Sequence, residues 1–413
     1  MENQEHRFTD LVLLIGTNPL PNYVTAMYYC QNNKNIKSIW LIHSETNQNQ
    51  KGTTDYASCI RDALKEALPN RKIQYHLLKL QNIYSANEIK KDIESFIEDN
   101  CDVNEATFHL NYTGGTKMMA VHAVAAFRAL TENQCQFSYL DASLYKMRTD
   151  GTICLSEDLR KEVTIKLEKL AAIHGYKEKS DQEQPSPQAL TELMKIVEAG
   201  EACSFLSWKD KLIRSEGVKV NQKTFLEKYC VEDKAEQIPL WIKELLAAFP
   251  PEYDILKDKM SRKNAEKTIH FLDGQWLEQY VAEALKELQL TEYKVSWRLY
   301  PDGAKQSLDF ELDVVFLQGY QVCGISCTTS DKKYLCKSKG FEVMHRVKQI
   351  GGDEALAVLL TALPENAHDD KATVESVQTD LDRAGMGAGK ILVLGIDDWN
   401  VEKLTKKIRE FIR

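Results

Sequence analysis

The stretch ATFHLNYTGGTKMMA, residues 106–120, predicts how the first part of the chain folds. Its first five residues, 106–110, have the apolar pattern of a short buried strand, and helix-compatible sequence runs from Gly115 to Leu130. Between them lies the polar turn NYTGGTK, whose glycines let the backbone approach a ligand closely. The first N–H groups of a helix lack partners within the helix and carry the positive end of its dipole. We therefore expect an anion site at this turn.

The sequence around this stretch alternates between strand-like and helix-like segments. The strand-like segments are 10–16, 38–44, 73–80 and 135–142, and the helix-like segments are 21–31, 56–68 and 86–99. This alternation predicts a mostly parallel, doubly wound sheet, in which ligands bind at the carboxyl ends of strands. A second polar turn, GTNPLPN at 16–22, lies at the same edge, so we expect both turns to face one crevice. By itself, the turn at 111–117 fits a plain strand–helix connection with a solvated lysine equally well.

The two turns, GTNPLPNYVTA and NYTGGTKMMA, resemble the ligand loops of CRISPR-associated Rossmann-fold (CARF) domains, over about the first 150 residues. Domains of this family sense cyclic oligoadenylates made by type III CRISPR complexes and pair as dimers around one cyclic ligand. The resemblance implies a homodimer that binds cyclic tetra-adenylate, and two-fold symmetry suits such a ring. It implies ligand contacts from Thr17, Asn18, Pro19, Thr113, Gly114, Gly115, Thr116, Lys117 and Met118.

Length and composition exclude several classes of protein. A chain of 413 residues is too long for one ordinary core, and its formal net charge of −8 argues against a general polycation. The ten cysteines form no CxxC pair, so we expect buried free thiols and no zinc site. We find no leader peptide and no apolar run of spanning length, so the expectation is a cytoplasmic protein without a membrane partner.

Composition and patterning divide the chain into four segments. Residues 1–175 are expected to form the CARF sensor domain, and the polar, proline-bearing segment 176–188 a linker. Residues 189–262 contain helix-compatible runs and predict a small helical or winged-helix middle region. Residues 263–413 show a second mixture of helix and strand patterns and are expected to form a further α/β domain.

Carboxylates recur in this last segment. Glu278 lies in the helix-like stretch LDGQWLEQYV at 272–281, two residues from Trp276 and from Tyr280, so it points away from both. In the strand-like LDFELDVVF at 308–316, three alternating carboxylates share one face: Asp309, Glu311 and Asp313. They repel one another unless a cation lies among them. The pattern therefore fits either a divalent-metal site or a salt-bridged edge strand.

The order of these elements resembles the PD-(D/E)XK nuclease fold, and the whole chain resembles CRISPR-ancillary nucleases that join a CARF domain to such a nuclease. The resemblance implies a restriction-endonuclease-like α/β domain in which Glu278 and Asp313 hold Mg²⁺ or Mn²⁺. The family's Glu-x-Lys motif is replaced here within GISCTTSDKK, where Ser326 stands for the glutamate and Thr328 for the lysine. Hydroxyls are weak Mg²⁺ ligands, which argues against standard metal-dependent hydrolysis.

Three outcomes remain open for this site. Neighbouring side chains could replace the missing groups, with Glu311 or Glu342 as the acid and Lys332, Lys333 or Lys337 as the base. RNA could instead be cleaved without metal, because its 2′-OH is the nucleophile and only acid–base and cationic groups are then needed. Candidates for those groups are Lys337, His345 and Arg346, with further lysines at 332, 333 and 339. Alternatively, the domain binds nucleic acid without cutting it.

We therefore predict a type III CRISPR accessory nuclease that cyclic tetra-adenylate activates and that cleaves single-stranded RNA better than DNA. Its predicted catalytic residues are Glu278, Asp313, Ser326, Thr328 and Lys337. The alternatives are an inactive adaptor that binds the messenger and a ring nuclease that degrades the messenger in the CARF pocket.

Overall fold

In a computed structural model, the chain folds around two six-stranded sheets. The structure describes residues 8–46, 51–102, 105–132, 134–150, 154–179, 186–213, 240–253, 262–303, 309–366, 372–384 and 389–413. We call the part built on the first sheet the first unit and the part built on the second sheet the second unit.

The first sheet has the order β3-β2-β1-β4-β5-β6. Strands β1 to β5 are parallel, and β6 runs antiparallel to β5. The strands are β1 (Asp10–Leu14), β2 (Ser38–Ser44), β3 (Gln74–Leu80), β4 (Phe108–Asn111), β5 (Gln136–Asp141) and β6 (Lys146–Thr149). The helices between them are α1 (Leu20–Asn32), α2 (Thr54–Ala67), α3 (Ala86–Asn100) and α4 (Lys117–Leu130). The doubly wound parallel sheet predicted from the alternating pattern is confirmed, whereas β6 was not predicted.

The central strands position the first candidate site. Every residue of β1 and β2 is buried, as expected for parallel strands that are covered on both faces. Strand β1 lies between β2 and β4, so the strand order reverses at β1. The chain therefore leaves β1 and β4 toward opposite faces of the sheet, and a crevice opens between the two following turns.

Two short helices and a further strand lead from the first sheet to the second. They are α5 (Leu159–Glu162), α6 (Leu167–Ile173) and β7 (Tyr176–Glu178). The segment 176–188 was expected to be a linker, but β7 pairs with a strand of the second sheet, and a helix begins at Pro187. A three-residue edge strand is too short to show a periodic pattern, which is why composition alone misread it. Residues 180–185 of that segment lie outside the described residues.

The middle region is helical where it is described. Its helices are α7 (Pro187–Glu198), α8 (Ala202–Ile213), α9 (Leu240–Ala247) and α10 (Arg262–His270). Leu193, Phe205 and Leu245 belong to the same buried cluster as Trp276 and Val358 of the second unit. These helices therefore cover one face of the second sheet. A wing, as in the winged-helix alternative, would fall at 214–239 or 254–261, which lie outside the described residues.

The second sheet has the order β12-β11-β10-β9-β8-β7, antiparallel from β7 to β10 and parallel from β10 to β12. Its remaining strands are β8 (Glu292–Pro301), β9 (Phe310–Gln318), β10 (Gln321–Cys327), β11 (Leu356–Leu360) and β12 (Ile391–Leu394). Its helices are α11 (Trp276–Leu285), α12 (Lys333–Gly351), α13 (Val374–Ala384) and α14 (Val401–Phe411), and a π-helical turn, Phe271–Gln275, precedes α11.

One hydrophobic cluster continues from the first unit into the second. Leu11 and Leu13 on one face of β1 belong to the same buried cluster as Leu312 of β9 and Val343 of α12. The opposite face of the first sheet has its own cluster beneath α3 and α4. The two units therefore share a core, which gives a physical route by which one can affect the other.

Candidate functional site

The turns that follow β1 and β4 line one cavity of about 280 Å³. The predicted ligand residues among its lining are Thr17, Asn18, Thr113, Gly114 and Gly115. The other four lie beside it. Pro19 is the N-cap residue of α1, whereas Thr116, Lys117 and Met118 are exposed at the start of α4. The structure thus brings both predicted turns to one crevice.

Glycines make the close approach of the two turns possible. A Cβ atom added at Gly114 would lie 2.1 Å from the carbonyl oxygen of Leu14, and one at Gly16 would lie 3.1 Å from the nitrogen of Gly115. Gly115 also has a φ of +74°, which L side chains rarely adopt. The two backbones therefore touch, and side chains between them would separate the turns.

Hydrogen bonds fix the turn after β4. The Thr113 hydroxyl accepts from the backbone N–H of Leu140 at 2.7 Å, so its own proton remains free to be donated to a ligand. The Thr116 hydroxyl accepts from the N–H of Met119 at 3.2 Å and caps α4. Lys117 is the first residue of this helix, so its positive charge adds to the positive end of the helix dipole.

Asn18 contacts His174, which was not predicted from the sequence. The Nε2 atom of His174 lies 3.3 Å from Asn18 Oδ1, and its Nδ1 atom lies 2.9 Å from the carbonyl oxygen of Leu170. Burial lowers the pKa of His174 to about 4, so the ring is neutral at physiological pH. The pair is separated by 156 residues, and no local pattern could have indicated it.

The second unit forms the far wall of the same cavity. Tyr320 lies in the β9–β10 turn and Gln321 begins β10, whereas Gly351 ends α12 and Asp353 and Glu354 follow it. A Cβ atom added at Gly352 would lie 1.9 Å from Asn18 Nδ2, so this glycine packs directly on the first turn. None of these residues was predicted, because the ligand-loop resemblance covered only about the first 150 residues.

A second candidate site lies where α11, β9 and β10 meet. Asp313 Oδ2 accepts from the Ser326 hydroxyl at 3.0 Å and from the N–H of Cys327 at 2.8 Å. Glu278 Oε2 accepts from the Ser296 hydroxyl at 2.7 Å. Burial raises the pKa of Glu278 well above its usual range, and the charge of Asp313 raises it further. Burial also raises the pKa of Asp313.

The other two carboxylates of β9 are engaged in salt bridges. Asp309 pairs with Lys179 at 2.8 Å, and Glu311 pairs with Arg298 at 2.7 Å. The hydrogen bond from Lys179 lowers the pKa of Asp309. Two of the three carboxylates are therefore salt-bridged, although β9 is an internal strand and not the edge strand of that alternative. Asp313 and, less strongly, Glu311 both raise the pKa of Glu278 by their charge. The metal-site alternative stays a prediction.

The lysines of α12 divide between the two flanks of the helix. Lys333 and Lys337 pair with Asp380 of α13, at 3.0 Å and 3.1 Å. Lys339 lies two positions beyond Lys337, a rotation of about 200° around the helix. Its charge lowers the pKa of both Glu278 and Asp313. Among the lysines of α12, Lys339 is thus the one whose charge affects the two carboxylates, whereas Lys337 was predicted from the sequence.

Three of the remaining predicted groups, Thr328, Arg346 and Glu342, lie against other side chains or backbone groups of the second unit. The hydroxyl of Thr328 accepts from the N–H of Ser330 at 3.2 Å, within the loop after β10. The Arg346 guanidinium stacks on Phe310, 4.7 Å from the ring centre. Glu342 lies 3.9 Å from Lys339, and Lys332 and His345 are exposed. A lysine that the sequence did not single out, Lys209 of α8, is fully buried and donates to Thr329 at 2.8 Å, which anchors that loop.

The donor set fits a divalent cation in part. Within the described residues, no group of three His, Cys, Asp or Glu side chains is placed to hold a metal ion. Glu278 and Asp313 offer two carboxylates, and Mg²⁺ is commonly held by one or two carboxylates together with water. The Ser326 hydroxyl is used in its bond to Asp313. Any cation at this place would therefore be held by Glu278, Asp313 and solvent.

A Rossmann-like sheet whose two polar turns face one crevice at the reversal of strand order belongs to the doubly wound α/β class, in which ligands bind at that crevice. Residues 11–167 match the family model described as the Card1 CARF domain, so the N-terminal part of the chain is a CARF domain. This confirms the resemblance drawn from the two turns. A comparison with curated protein sequences gave no match.

Two solved structures share the fold over nearly the whole chain. One is Can2 from Sulfobacillus thermosulfidooxidans in complex with cyclic tetra-adenylate, at 16% identity, with a TM-score of 0.64 and coverage of 100% of this chain and 99% of that one. The other is VC1899 from Vibrio cholerae, at 16% identity, with a TM-score of 0.66 and coverage of 97% and 98%. Among the described residues, none of the helices is both long and apolar enough to span a bilayer.

Proposed function

We propose that the protein is a type III CRISPR accessory effector that binds a cyclic oligoadenylate between the turns after β1 and β4. The observation that carries this proposal is the shared cavity of those two turns within a CARF domain. Can2, which shares the fold, was solved with cyclic tetra-adenylate, and we therefore propose that ring size. Thr17, Asn18, Thr113 and the two glycines contact the ring, and Lys117 attracts its phosphates.

The messenger would be shared by two copies of the chain. A cavity of about 280 Å³ lies at the lower limit of ordinary ligand pockets, so one chain accommodates part of a ring of four nucleotides. A symmetric ring is completed by a second copy of the same pocket around a two-fold axis. Met118 and Val121 of α4 are 37% and 62% exposed beside the pocket, and their apolar surfaces suit such a homodimer.

We further propose that the second unit is a restriction-endonuclease-like nuclease whose catalytic residues are Glu278, Asp313 and Lys339. A divalent cation held by the two carboxylates would polarise the scissile phosphate and lower the pKa of bound water. The residues of the chain also support a reaction on RNA. Burial raises the pKa of Glu278 to about 8, which suits proton exchange near neutral pH. Lys339, whose charge lowers the pKa of both carboxylates, would stabilise a charged phosphorane.

On RNA, the 2′-oxygen attacks the neighbouring phosphorus and loses its proton to a carboxylate. The bond from phosphorus to the 5′-oxygen then breaks, and this oxygen takes up a proton, which leaves a 2′,3′-cyclic phosphate. DNA lacks the 2′-OH and cannot follow this route. We therefore propose single-stranded RNA as the preferred substrate, with cleavage that partly survives EDTA.

One observation favours an inactive, messenger-binding adaptor instead. The two hydroxyls that replace the Glu-x-Lys motif bond within the protein, Ser326 to Asp313 and Thr328 to the N–H of Ser330. An adaptor would bind the messenger with the same pocket and would leave both nucleic acids intact.

The test is to incubate the protein with labelled RNA and DNA, with and without cyclic tetra-adenylate, Mg²⁺, Mn²⁺ and EDTA. We expect cleavage of RNA that depends on the messenger. Asp313→Ala should abolish the fraction of this cleavage that depends on metal. DNA cleavage that needs metal and vanishes in EDTA would overturn the RNA route and keep the nuclease. Binding without cleavage of either substrate would identify the adaptor, and loss of the messenger itself would identify a ring nuclease.

A further inference from the structure

A second cavity of the first unit lies at the opposite edge of its sheet from the messenger loops. It has a volume of about 670 Å³ and is lined by residues that immediately precede β1, β2 and β3, so we call it the amino-edge cavity. These strands are parallel, so their amino ends share one edge, whereas the messenger loops follow carboxyl ends. The five residues of β1 separate the two cavities by about 17 Å. A ligand of one cavity is therefore distinct from a ligand of the other.

The lining of the amino-edge cavity is strongly basic. Four of its nine residues are cations, Lys34, Lys37, Arg71 and Lys72, and none of the nine is acidic. The three lysines are exposed, and in the part of the chain that the structure describes none of them is ion-paired with a carboxylate. The whole chain carries a formal net charge of −8, so this cluster is a local exception that attracts anions.

Hydrogen bonds fix the backbone that carries these lysines. The Arg71 guanidinium donates to the carbonyl oxygens of Cys30 at 2.7 Å and of Asn33 at 3.2 Å, and so caps the carboxyl end of α1. The backbone N–H of Lys37 donates to the carbonyl oxygen of Thr9 at 2.8 Å, which ties the segment before β2 to the segment before β1. Carbonyl groups leave the charge of Arg71 in place. An anion would therefore meet a positive surface whose backbone needs no further ordering.

The lining residues indicate which anion fits. Lysine ammonium groups bind phosphate oxygens as point charges, and several in one recess suit a molecule with several phosphates. The single aromatic residue of the lining, Phe8, is 1% exposed and offers no ring on which a base could stack. Contacts would therefore be made to phosphates and would not depend on base sequence. A flexible single strand can bend into a recess of this size, whereas a stiff duplex cannot.

We propose that the amino-edge cavity binds the phosphate backbone of a single-stranded nucleic acid. This inference goes beyond the proposed function, because neither messenger binding nor cleavage uses this cavity. A strand that is held on the first unit stays at a high effective concentration around the rest of the chain.

The test measures binding of a fluorescent oligomer of about twelve 2′-O-methyluridines by anisotropy, in EDTA and without messenger. This probe contains no adenosine and no free 2′-OH, so it avoids the adenine preference of the messenger pocket and stays intact. Lys34→Gln/Lys37→Gln/Lys72→Gln removes the three exposed cations and keeps Arg71, which caps α1. We expect about tenfold weaker binding at low salt. The slope of log affinity against log salt should become shallower by about 2, since each phosphate neutralised on a single strand contributes about 0.7.

A matched variant separates this cavity from a general effect of charge. Lys91→Gln/Lys166→Gln/Lys406→Gln removes three exposed lysines outside the cavity lining and changes the net charge equally. We expect this variant to bind the oligomer as the unaltered protein does. Equal weakening in both triple variants, or no binding by the unaltered protein, would overturn the inference.

Two further measurements identify the place and the ligand. The oligomer should slow amide exchange at 34–37 and 70–72 in the unaltered protein and leave it unchanged in the Lys34→Gln/Lys37→Gln/Lys72→Gln variant. Slower exchange confined to the second unit would contradict the proposal. Inorganic phosphate and AMP are added as competitors, and displacement of the oligomer by either at the oligomer's own concentration would show a site for small phosphates and overturn the proposal. Because no messenger is present, failure of cyclic tetra-adenylate binding would be a separate result.

Discussion

At the residue scale, the glycines and hydroxyls of the two turns could be predicted from the sequence, because they are local features of strand–helix connections. His174 and Asp353 could not, because their roles arise from contacts with residues that are distant in the sequence. Ser326 was recognised as a departure from the nuclease motif, but its bond to Asp313 follows from the pairing of β9 with β10.

Gly114 provides a sharp test of the first pocket. In Gly114→Ala, the new Cβ atom would lie 2.1 Å from the Leu14 oxygen, so the turn must move away from β1. We expect at least about tenfold weaker binding of cyclic tetra-adenylate and a loss of about 1–3 kcal/mol in the free energy of unfolding. Gly274→Ala is the control, because a Cβ atom there meets nothing within 4 Å. Normal binding by Gly114→Ala would show that this turn does not hold the ligand.

His174 predicts a defined dependence of stability on pH. Its pKa falls from 6.5 in the unfolded chain to about 4 in the folded protein, so the unfolded state takes up the proton first as pH decreases. The contribution of His174 to the free energy of unfolding is therefore fully present above pH 6.5 and is lost as the pH falls toward 4. From about pH 7 to about pH 5, the unaltered protein should lose about 1–2 kcal/mol more than His174→Gln in urea unfolding. His345→Gln, at an exposed position, should follow the unaltered protein, and identical slopes for all three would contradict the assignment.

At the element scale, the strands and helices of the first unit follow from long apolar runs, which local sequence determines. The short edge strands β6 and β7 escaped prediction, since each is held by its neighbour in the sheet. Helix α12 follows β10 along the chain. The packing of α12 on β10 and β11 decides which side of the helix faces the carboxylates. The positions of its lysines in the sequence do not show this packing.

The two flanks of α12 can be separated by mutation. Lys339→Ala should reduce messenger-activated RNA cleavage about tenfold or more, because its charge acts on Glu278 and Asp313. Lys337→Ala should change the rate little, because Lys337 pairs with Asp380 on the other flank. Rates are compared at saturating cyclic tetra-adenylate, and binding of the messenger should be the same in both variants. A larger loss in Lys337→Ala than in Lys339→Ala would restore the choice made from the sequence.

At the scale of the whole molecule, the chain was expected to contain separate domains joined by a linker, and the structure instead shows units with a common core. Leu11 and Leu312 belong to one buried cluster, and β7 crosses from the first unit into the second sheet. Sequence patterns report which residues are buried within an element. They do not report which elements of two sheets meet, because many packings satisfy the same apolar faces.

Arg160 joins the two units and predicts how the molecule unfolds. Its guanidinium pairs with Asp158, lies 4.0 Å from the Tyr145 ring centre, and donates at 2.9 Å both to Gln321 Oε1 and to the carbonyl oxygen of Ile412. The side chain is 9% exposed, so its removal leaves buried acceptors without a donor. Arg160→Ala should therefore lower the free energy of unfolding by about 3–5 kcal/mol.

The matched control is Arg128→Ala, in the same unit, whose surface pair with Asp150 at 3.1 Å should be worth less than about 1 kcal/mol. Because the units share a core, calorimetry of the unaltered protein should give one transition with equal calorimetric and van't Hoff enthalpies. In Arg160→Ala, loss of the junction should broaden or split that transition, with the messenger raising the midpoint of the part that contains the first unit. Two transitions in the unaltered protein, or equal effects of the two arginine variants, would mean that the units fold independently and that the second unit does not depend on the first through this junction.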